Sequence, residues 1–132
     1  MTVSQLAYIG IGVSDLAAWE RFAKDILGME IGERSHDGTV YLRMDEYHHR
    51  IALHPSGEDD ILYVGLATAT PAAYEKGKAA LTAAGVTWVQ GAPEALENRR
   101  VVDCVTFESG GLPFELALGP HIDFARPFLP GR

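Results

Sequence analysis

Four polar side chains occur at comparable places in segments whose hydrophobicity alternates from residue to residue: Tyr8, Arg50, Tyr63 and Glu115. Successive side chains of a strand point to opposite faces of a sheet, so each of these residues lies opposite the aliphatic side chains of its own strand. On its own face each is followed by glycine or alanine, and glycine within a strand often marks the close approach of another group. Such an interior polar ring is typical of a ligand or metal pocket. The alternative is a filled interior in which Arg50 and Glu115 pair, because buried charges are normally paired and hydrogen-bonded.

The histidines and the single cysteine are the other side chains that could do chemistry. His48 and His49 are adjacent, with Asp45 nearby and His54 in the next strand. Neighbouring strand residues point to opposite faces, so the two rings are not expected to bind one ion together, and we interpret this stretch as a solvated hairpin. Cys104 lies in a strand without the positive surroundings that make a thiol reactive, which predicts a core position.

The elements that position these side chains begin with a strand at about 6–13, which a helix follows. Ser14 or Asp15 can cap this helix, and Gly28 is suited to end it in the left-handed conformation. Apolar residues recur at three- and four-residue steps, which predicts that one helix face is buried. That face consists of Leu16, Trp19, Phe22, Ala23, Ile26 and Leu27. Three further strands are predicted at about 30–34, 39–44 and 50–54.

The same order of elements then repeats. A strand at about 61–68 leads to a helix that starts at Thr70-Pro71, with proline at its first position, and ends at Gly85. Asp15 and Thr70, the two helix starts, are 55 positions apart. The remaining strands of the second copy are predicted at about 87–89, 101–107 and 114–118, with an insertion at 91–100. Two copies are too few for a solenoid and indicate a closed pair of strand–helix–strand–strand–strand units.

Composition narrows the classes of protein that the chain can represent. Its 132 residues fit one domain, and 47% hydrophobic and 22% charged residues are typical of a globular protein. A net charge of −7 disfavours nucleic acids and acidic membrane surfaces as partners. No apolar run approaches the roughly 20 residues of a membrane-spanning helix. One cysteine and no secretory signal at the amino terminus lead us to expect a cytoplasmic location.

The doubled βαβββ unit resembles the vicinal oxygen chelate superfamily, which includes glyoxalase I, antibiotic-resistance binding proteins and type I extradiol dioxygenases. It is most similar to the N-terminal half of extradiol dioxygenases of the 2,3-dihydroxybiphenyl 1,2-dioxygenase type. The segments that carry the resemblance are LAYIGIGVSDLAAWERFAKDILGME at 6–30, YLRMDEYHHRIALHP at 41–55, NRRVVDCVTFESGGLPFELALG at 98–119 and FARPFLPGR at 124–132.

The resemblance implies an α+β fold of the glyoxalase, bleomycin-resistance and extradiol dioxygenase type. Its two βαβββ modules, about 1–57 and 58–119, would form a concave, barrel-like mixed sheet with helices on the outer face. Residues 1–119 would then be a single domain. Residues 120–132 contain three prolines and are predicted to be a linker-like tail.

In the family that the chain resembles, Fe(II) is bound in the C-terminal copy of the domain by two histidines and one glutamate. The equivalent positions here are Tyr8, Tyr63 and Glu115, so only the carboxylate is retained. A tyrosine with a pKa near 10 gives up its proton at considerable cost, whereas neutral imidazole is a good iron ligand. The resemblance therefore implies no metal, cofactor or catalytic residue in this chain, and Fe(II) in a full-length enzyme.

The leading hypothesis is a metal-free N-terminal domain of an extradiol dioxygenase that meta-cleaves a bicyclic or polycyclic catechol. Its partners would be the C-terminal catalytic domain of the same protein and further copies in a homo-oligomer. One alternative is a freestanding, homodimeric binding protein of the glyoxalase/bleomycin-resistance type that holds an aromatic small molecule at the polar ring. A glyoxalase-type metal-dependent isomerase or lyase is a further alternative, which the two tyrosines disfavour.

Overall fold

A computed structural model describes residues 2–120, 122 and 126–131. These residues form two compact units. The first unit contains residues 8–62 and the described residues from Ile122 onward, and the second contains residues 2–7 and 63–120. Each unit is built from one βαβββ sequence, which confirms the predicted doubling and the predicted fold class.

The first unit contains a four-stranded mixed sheet in the order β2-β3-β4-β1. Its elements are β1 (Gln5–Gly12), which belongs to this unit from Tyr8 onward, α1 (Leu16–Arg21), a π-helical segment (Phe22–Ile26), β2 (Glu30–Arg34), β3 (Val40–Arg43) and β4 (Ile51–His54). β1 runs parallel to β4, and the other two pairings are antiparallel. The core consists of Val13, Ala23, Met29, Val40, Leu42 and Leu53.

The second unit repeats this arrangement with the strand order β6-β7-β8-β5. Its elements are β5 (Asp60–Thr68), which belongs to this unit from Tyr63 onward, α2 (Pro71–Ala83), β6 (Trp88–Gln90), α3 (Pro93–Arg99), β7 (Asp103–Ser109) and β8 (Leu112–Leu118). β5 runs parallel to β8, and β7 is antiparallel to both β6 and β8. The core consists of Tyr74, Val105 and Leu116, flanked by residues that include Leu66, Leu81 and Trp88.

The helix starts follow from side-chain capping. Asp15 accepts a hydrogen bond from the Ala18 amide at 3.0 Å, and Thr70 accepts one from the Ala73 amide at 3.1 Å. These bonds satisfy amide groups that have no partner within the first turn. Gly28 ends the first helical stretch at φ 73° and Gly85 follows α2 at φ 77°, a region that glycine adopts without strain. The predicted positions of both helices are therefore confirmed.

The predicted burial of one face of the first helix holds for one half of its residues and is wrong for the other. Leu16 and Trp19 are partly buried and pack against the core cluster that contains Ala23. Of the six residues of that face only Ala23 is buried, whereas Phe22 is 45%, Ile26 62% and Leu27 52% exposed. The reason is the π-helical segment, in which the Leu27 amide bonds to the Phe22 carbonyl at 3.2 Å. This wider turn removes the residues after Ala23 from the α-helical spacing on which the prediction rested.

Part of the predicted tail packs against the first unit. The Leu129 amide donates to Glu30 Oε1 at 2.7 Å, and the Gly131 amide donates to the Gly28 carbonyl at 3.1 Å. Residues 121, 123–125 and 132 of the same tail lie outside the described residues. Within the described part of the chain, no helix has the length and apolar character needed to cross a membrane.

Candidate functional site

The four residues of the predicted ring fall into different units. Tyr8 and Arg50 belong to the first unit, and Tyr63 and Glu115 belong to the second. Tyr8, Tyr63 and Glu115 are buried, with exposed fractions of 1%, 7% and 5%. Each of the four has a partner within its own unit, so each unit contains a polar cluster of its own.

The cluster of the second unit is organised by Arg99, a residue that the sequence did not single out. Its guanidinium donates to Glu115 from Nε at 3.0 Å and from Nη2 at 3.2 Å, so the two side chains form a bidentate ion pair. The same guanidinium carbon lies 3.8 Å from the centroid of the Tyr63 ring. One arginine therefore neutralises the buried carboxylate with its edge and covers the tyrosine with its face.

The insertion between β6 and β7 brings Arg99 to this position. α3 begins at Pro93, and Arg100 ends it in the left-handed conformation at φ 58°, so Arg99 is the last residue of the helix. Gly91 lets the insertion approach β7, since a Cβ there would lie 2.7 Å from Cys104 Sγ. The only signal in the sequence is the interior glutamate predicted on β8, which requires a cation but does not specify which arginine supplies it.

Cys104 lies beside this cluster, and its thiol is unreactive near neutral pH. It is 1% exposed, as predicted for a core position. Burial and the charge of Glu115 raise the pKa of its thiol to about 12. The nucleophilic thiolate is therefore not formed near neutral pH, and the thiol serves as packing.

The cluster of the first unit contains Arg50, which pairs with a carboxylate that follows β3. Its Nε donates to Asp45 Oδ2 at 2.9 Å, and its guanidinium carbon lies 4.1 Å from the centroid of the Tyr47 ring. This is the same combination of arginine, carboxylate and tyrosine as in the second unit. The predicted pair between Arg50 and Glu115 would join the two units and stays a prediction.

The adjacent histidines are buried, so the interpretation of this stretch as a solvated hairpin is wrong. His48 is 7% and His49 2% exposed, and both rings pack against Tyr41, with centroid distances of 5.1 and 4.6 Å. Strand alternation does not apply because residues 48–50 form a bend before β4 begins at Ile51. Both rings can therefore turn to the same side, where His49 lies 5.9 Å from the Tyr8 ring.

The two histidines are hydrogen-bonded to each other. Their Nδ1 atoms are 2.9 Å apart, and His48 Nε2 lies 2.7 Å from Glu33 Oε2. One Nδ1 must donate and the other accept, so only one of the facing nitrogens carries a proton. The arrangement is a chain of hydrogen bonds from Glu33 through His48 to His49.

The residues at the ligand-equivalent positions do not fit an iron ion. Both Glu115 oxygens accept hydrogen bonds from Arg99, and the Tyr63 ring lies beneath the same cation. A metal ion at this carboxylate would have to displace the guanidinium and overcome its positive charge. Among the described residues, no group of three or more histidine, cysteine, aspartate and glutamate side chains has the geometry of a metal site.

Comparisons with known proteins agree with this architecture. The family model described as dihydroxybiphenyl dioxygenase BphC D1 matches residues 6–56. A biphenyl-2,3-diol 1,2-dioxygenase of Sphingomonas paucimobilis is 39% identical over 100% of this chain and 44% of its own length. A 1,2-dihydroxynaphthalene dioxygenase of Sphingobium xenophagum is 38% identical over 99% of this chain and 44% of its own length.

A crystal structure of a catechol 2,3-dioxygenase superimposes with a TM-score of 0.93 and 39% identity. The match covers 98% of this chain and 46% of that one. Nearly every residue of this chain is therefore matched, but the chain spans less than half the length of these relatives. These findings show that the chain is similar to extradiol dioxygenases over the N-terminal part of their length.

Proposed function

We propose that the chain is the non-catalytic N-terminal domain of an Fe(II)-dependent extradiol dioxygenase. The proposal is carried by the match itself: nearly all of this chain aligns with relatives that are more than twice as long. It is supported by Glu115, the one carboxylate retained at a ligand-equivalent position, which Arg99 already neutralises. The iron would be bound by a further, C-terminal domain, and no cofactor is expected in this chain. The domain's own contribution would be structural.

We further propose a bicyclic or polycyclic catechol as the substrate of the whole protein. The two relatives described above are named for biphenyl-2,3-diol and 1,2-dihydroxynaphthalene, which are both two-ring catechols. The reaction would be meta-cleavage, in which O₂ is inserted next to the diol and both oxygen atoms enter the product. We expect the whole protein to act in the cytoplasm as a homo-oligomer.

The proposal can be tested with a chimera. In the Sphingomonas paucimobilis relative, the N-terminal portion that matches this chain is replaced by the 132 residues. If the domain is a structural equivalent, the chimera should retain iron and cleave 2,3-dihydroxybiphenyl within about tenfold of the parent rate, a loss of about 1.4 kcal/mol or less in transition-state stabilisation. The parent protein without its N-terminal portion is the control, and it should lose activity.

Two results would contradict the proposal. One is a chimera that folds and binds iron but shows no ring cleavage, because the replaced portion would then supply a catalytic group. The other is calorimetric heat of binding when the 132-residue chain alone is titrated with catechols or aromatic acids. That result would favour the freestanding binding protein with a ligand at Tyr8, Arg50, Tyr63 and Glu115.

A further inference from the structure

An apolar pocket of about 220 Å³ lies between α2 and the sheet of the second unit. Its sheet side consists of Leu66 on β5, Phe107 on β7 and Leu116 on β8. Leu116 directly follows Glu115, and successive side chains of a strand point to opposite faces. The pocket and the ion pair of Arg99 with Glu115 therefore lie on opposite faces of the sheet, so the pocket is a separate site.

The helix side of the pocket is open because α2 has small residues there. Gly77 is buried, and a Cβ at this position would lie 2.7 Å from Leu116 Cδ2, so the helix lies directly against the sheet at this point. Ala80 and Leu81, one turn later, complete the helix side. The methyl group of Ala80 occupies little of the space beyond the close contact, which leaves the volume between helix and sheet.

The N-terminal segment forms a third side of the pocket through Thr2 and Val3. The amide and the hydroxyl of Ser4 both donate to the Ala67 carbonyl, at 2.8 and 3.2 Å. These bonds fix the segment beside β5. All three sides belong to one compact unit, so the pocket is formed before any ligand arrives, as is usual for small-molecule sites.

The lining determines which molecules can enter. Among the described residues around the pocket none carries a charge, and Thr2 supplies the single side-chain hydroxyl. A polar group that is buried without a hydrogen-bond partner is penalised. A peptide segment brings backbone N–H and C=O groups that need partners, so it is a poor occupant. A small hydrocarbon has no such groups and suits this lining.

The size of the pocket and the Phe107 ring favour a single aromatic ring as the ligand. An apolar cavity of about 150 Å³ is large enough to bind benzene, and this pocket exceeds that volume. Phe107 stacks on Phe114, with ring centroids 5.6 Å apart and planes at 14°, which holds the Phe107 ring in place. A ligand ring beside Phe107 can make the offset or edge-to-face contact that aromatic pairs prefer.

We propose that this pocket is a binding site for an uncharged single-ring aromatic hydrocarbon such as toluene. The site favours the hydrocarbon over its dihydroxylated form, because the two hydroxyl groups of a catechol would be buried with too few hydrogen-bond partners. It therefore distinguishes the unoxidised ring from the catechol that the whole protein is proposed to cleave. This inference goes beyond the proposed function and does not depend on it.

The test is a titration of the ¹⁵N-labelled 132-residue chain with toluene, followed by two-dimensional NMR. We expect saturable shifts of amide resonances in α2 and β7 with a dissociation constant of about 0.1–1 mM, as is usual for so small a ligand. 3-Methylcatechol should bind at least about tenfold more weakly. Nuclear Overhauser effects from toluene to the methyl groups of Leu66, Leu81 and Leu116 locate the ligand without any substitution.

A matched pair of variants tests the position of the site. Ala80→Phe fills the pocket and should raise the dissociation constant for toluene about tenfold or more. Ala79→Phe adds the same ring at the adjacent, exposed position of α2, which does not line the pocket, and should leave the constant unchanged. The dispersion of the NMR spectrum verifies that each variant is folded.

Three results would overturn the inference. They are the absence of saturable shifts in the wild-type chain, equal binding of toluene and 3-methylcatechol, and Overhauser effects to methyl groups outside the pocket. Unchanged toluene binding by a folded Ala80→Phe variant would do the same. None of these results affects the dioxygenase proposal, which the chimera tests separately.

Discussion

At the scale of single residues, Arg99 determines whether the buried carboxylate of the second unit is tolerated. Glu115 is 5% exposed and its carboxylate accepts hydrogen bonds from the Arg99 guanidinium. Arg99→Met should leave this charge uncompensated and lower the free energy of unfolding by about 3–5 kcal/mol, as is usual when one partner of a buried pair is removed. Urea denaturation measures the change.

The matched control for this variant is Arg126→Met. The Arg126 side chain is 43% exposed and lies 3.8 Å from Glu33, so its loss should cost less than about 1 kcal/mol. The double variant Arg99→Met/Glu115→Leu should recover most of the stability, because the buried charge is then absent. Equal effects of Arg99→Met and Arg126→Met would show that the Arg99 pair is not buried in solution.

Cys104 makes a prediction about alkaline stability. Its pKa is raised from 9.0 to about 12 by burial, so the unfolded chain releases this proton at lower pH than the folded chain. The associated stability is fully present below pH 9.0 and is lost as the pH rises toward about 12. Each such group contributes a slope of up to about 1.4 kcal/mol per pH unit within this window.

The measurement is urea denaturation at several pH values above neutrality for the wild type and Cys104→Ala. The variant should start from lower stability because of its cavity, but its stability should fall less steeply above pH 9.0. The pKa of buried Tyr74 is also raised, mainly by desolvation, so part of the decline should remain in the variant. Parallel curves for the two proteins would contradict a buried, protonated thiol.

At the scale of elements, local sequence signals were reliable wherever the backbone was regular. Capping by Asp15 and Thr70 and the glycines after both helices are short-range effects, so the helix positions could be read from the sequence. The prediction failed where regular geometry is interrupted. The π-helical segment changes which side chains face the core, and the bend before β4 turns both His48 and His49 inward.

The candidate site was less predictable than the fold, because its contacts join distant parts of the chain. Tyr63 and Glu115 could be recognised as interior residues from strand alternation alone. Their partner Arg99 could not, since its position depends on how the insertion between β6 and β7 folds back on the sheet. The series of hydrogen bonds from Glu33 through His48 to His49 likewise could not be predicted from hydrophobic periodicity.

The docking of this insertion depends on Gly91. A Cβ at this position would lie 2.7 Å from Cys104 Sγ and 3.1 Å from the Cys104 carbonyl oxygen. Gly91→Ala should therefore destabilise the chain by about 1–3 kcal/mol, the usual cost of overpacking. Thermal or urea denaturation gives the value.

A double-mutant cycle with Cys104→Ala identifies the cause. Removing the sulfur relieves the closer of the two contacts, so Gly91→Ala should cost less in the Cys104→Ala background than in the wild type. The contact with the carbonyl oxygen should preserve part of the penalty. An equal cost in both backgrounds would mean that the strain arises elsewhere.

At the scale of the whole molecule, the chain has a fold like that of a catechol 2,3-dioxygenase, and its buried Glu115 carboxylate is neutralised by Arg99. Its sequence aligns over almost its whole length with dioxygenases, but the aligned part is less than half of their length. The position that retains a carboxylate holds an arginine against it, and the other two ligand-equivalent positions hold tyrosines. These features are the basis of our proposal that the chain is a non-catalytic N-terminal domain.

Iron binding by the 132-residue chain tests this account most directly. The chain is equilibrated with Fe(II) under anaerobic conditions, dialysed and analysed for metal, and then mixed with 2,3-dihydroxybiphenyl in air. We predict no iron above the buffer control and no ring-cleavage product, because the Glu115 carboxylate is already paired with Arg99. About one iron per chain together with formation of the product would contradict the account, since a complete metal site would then lie within these residues.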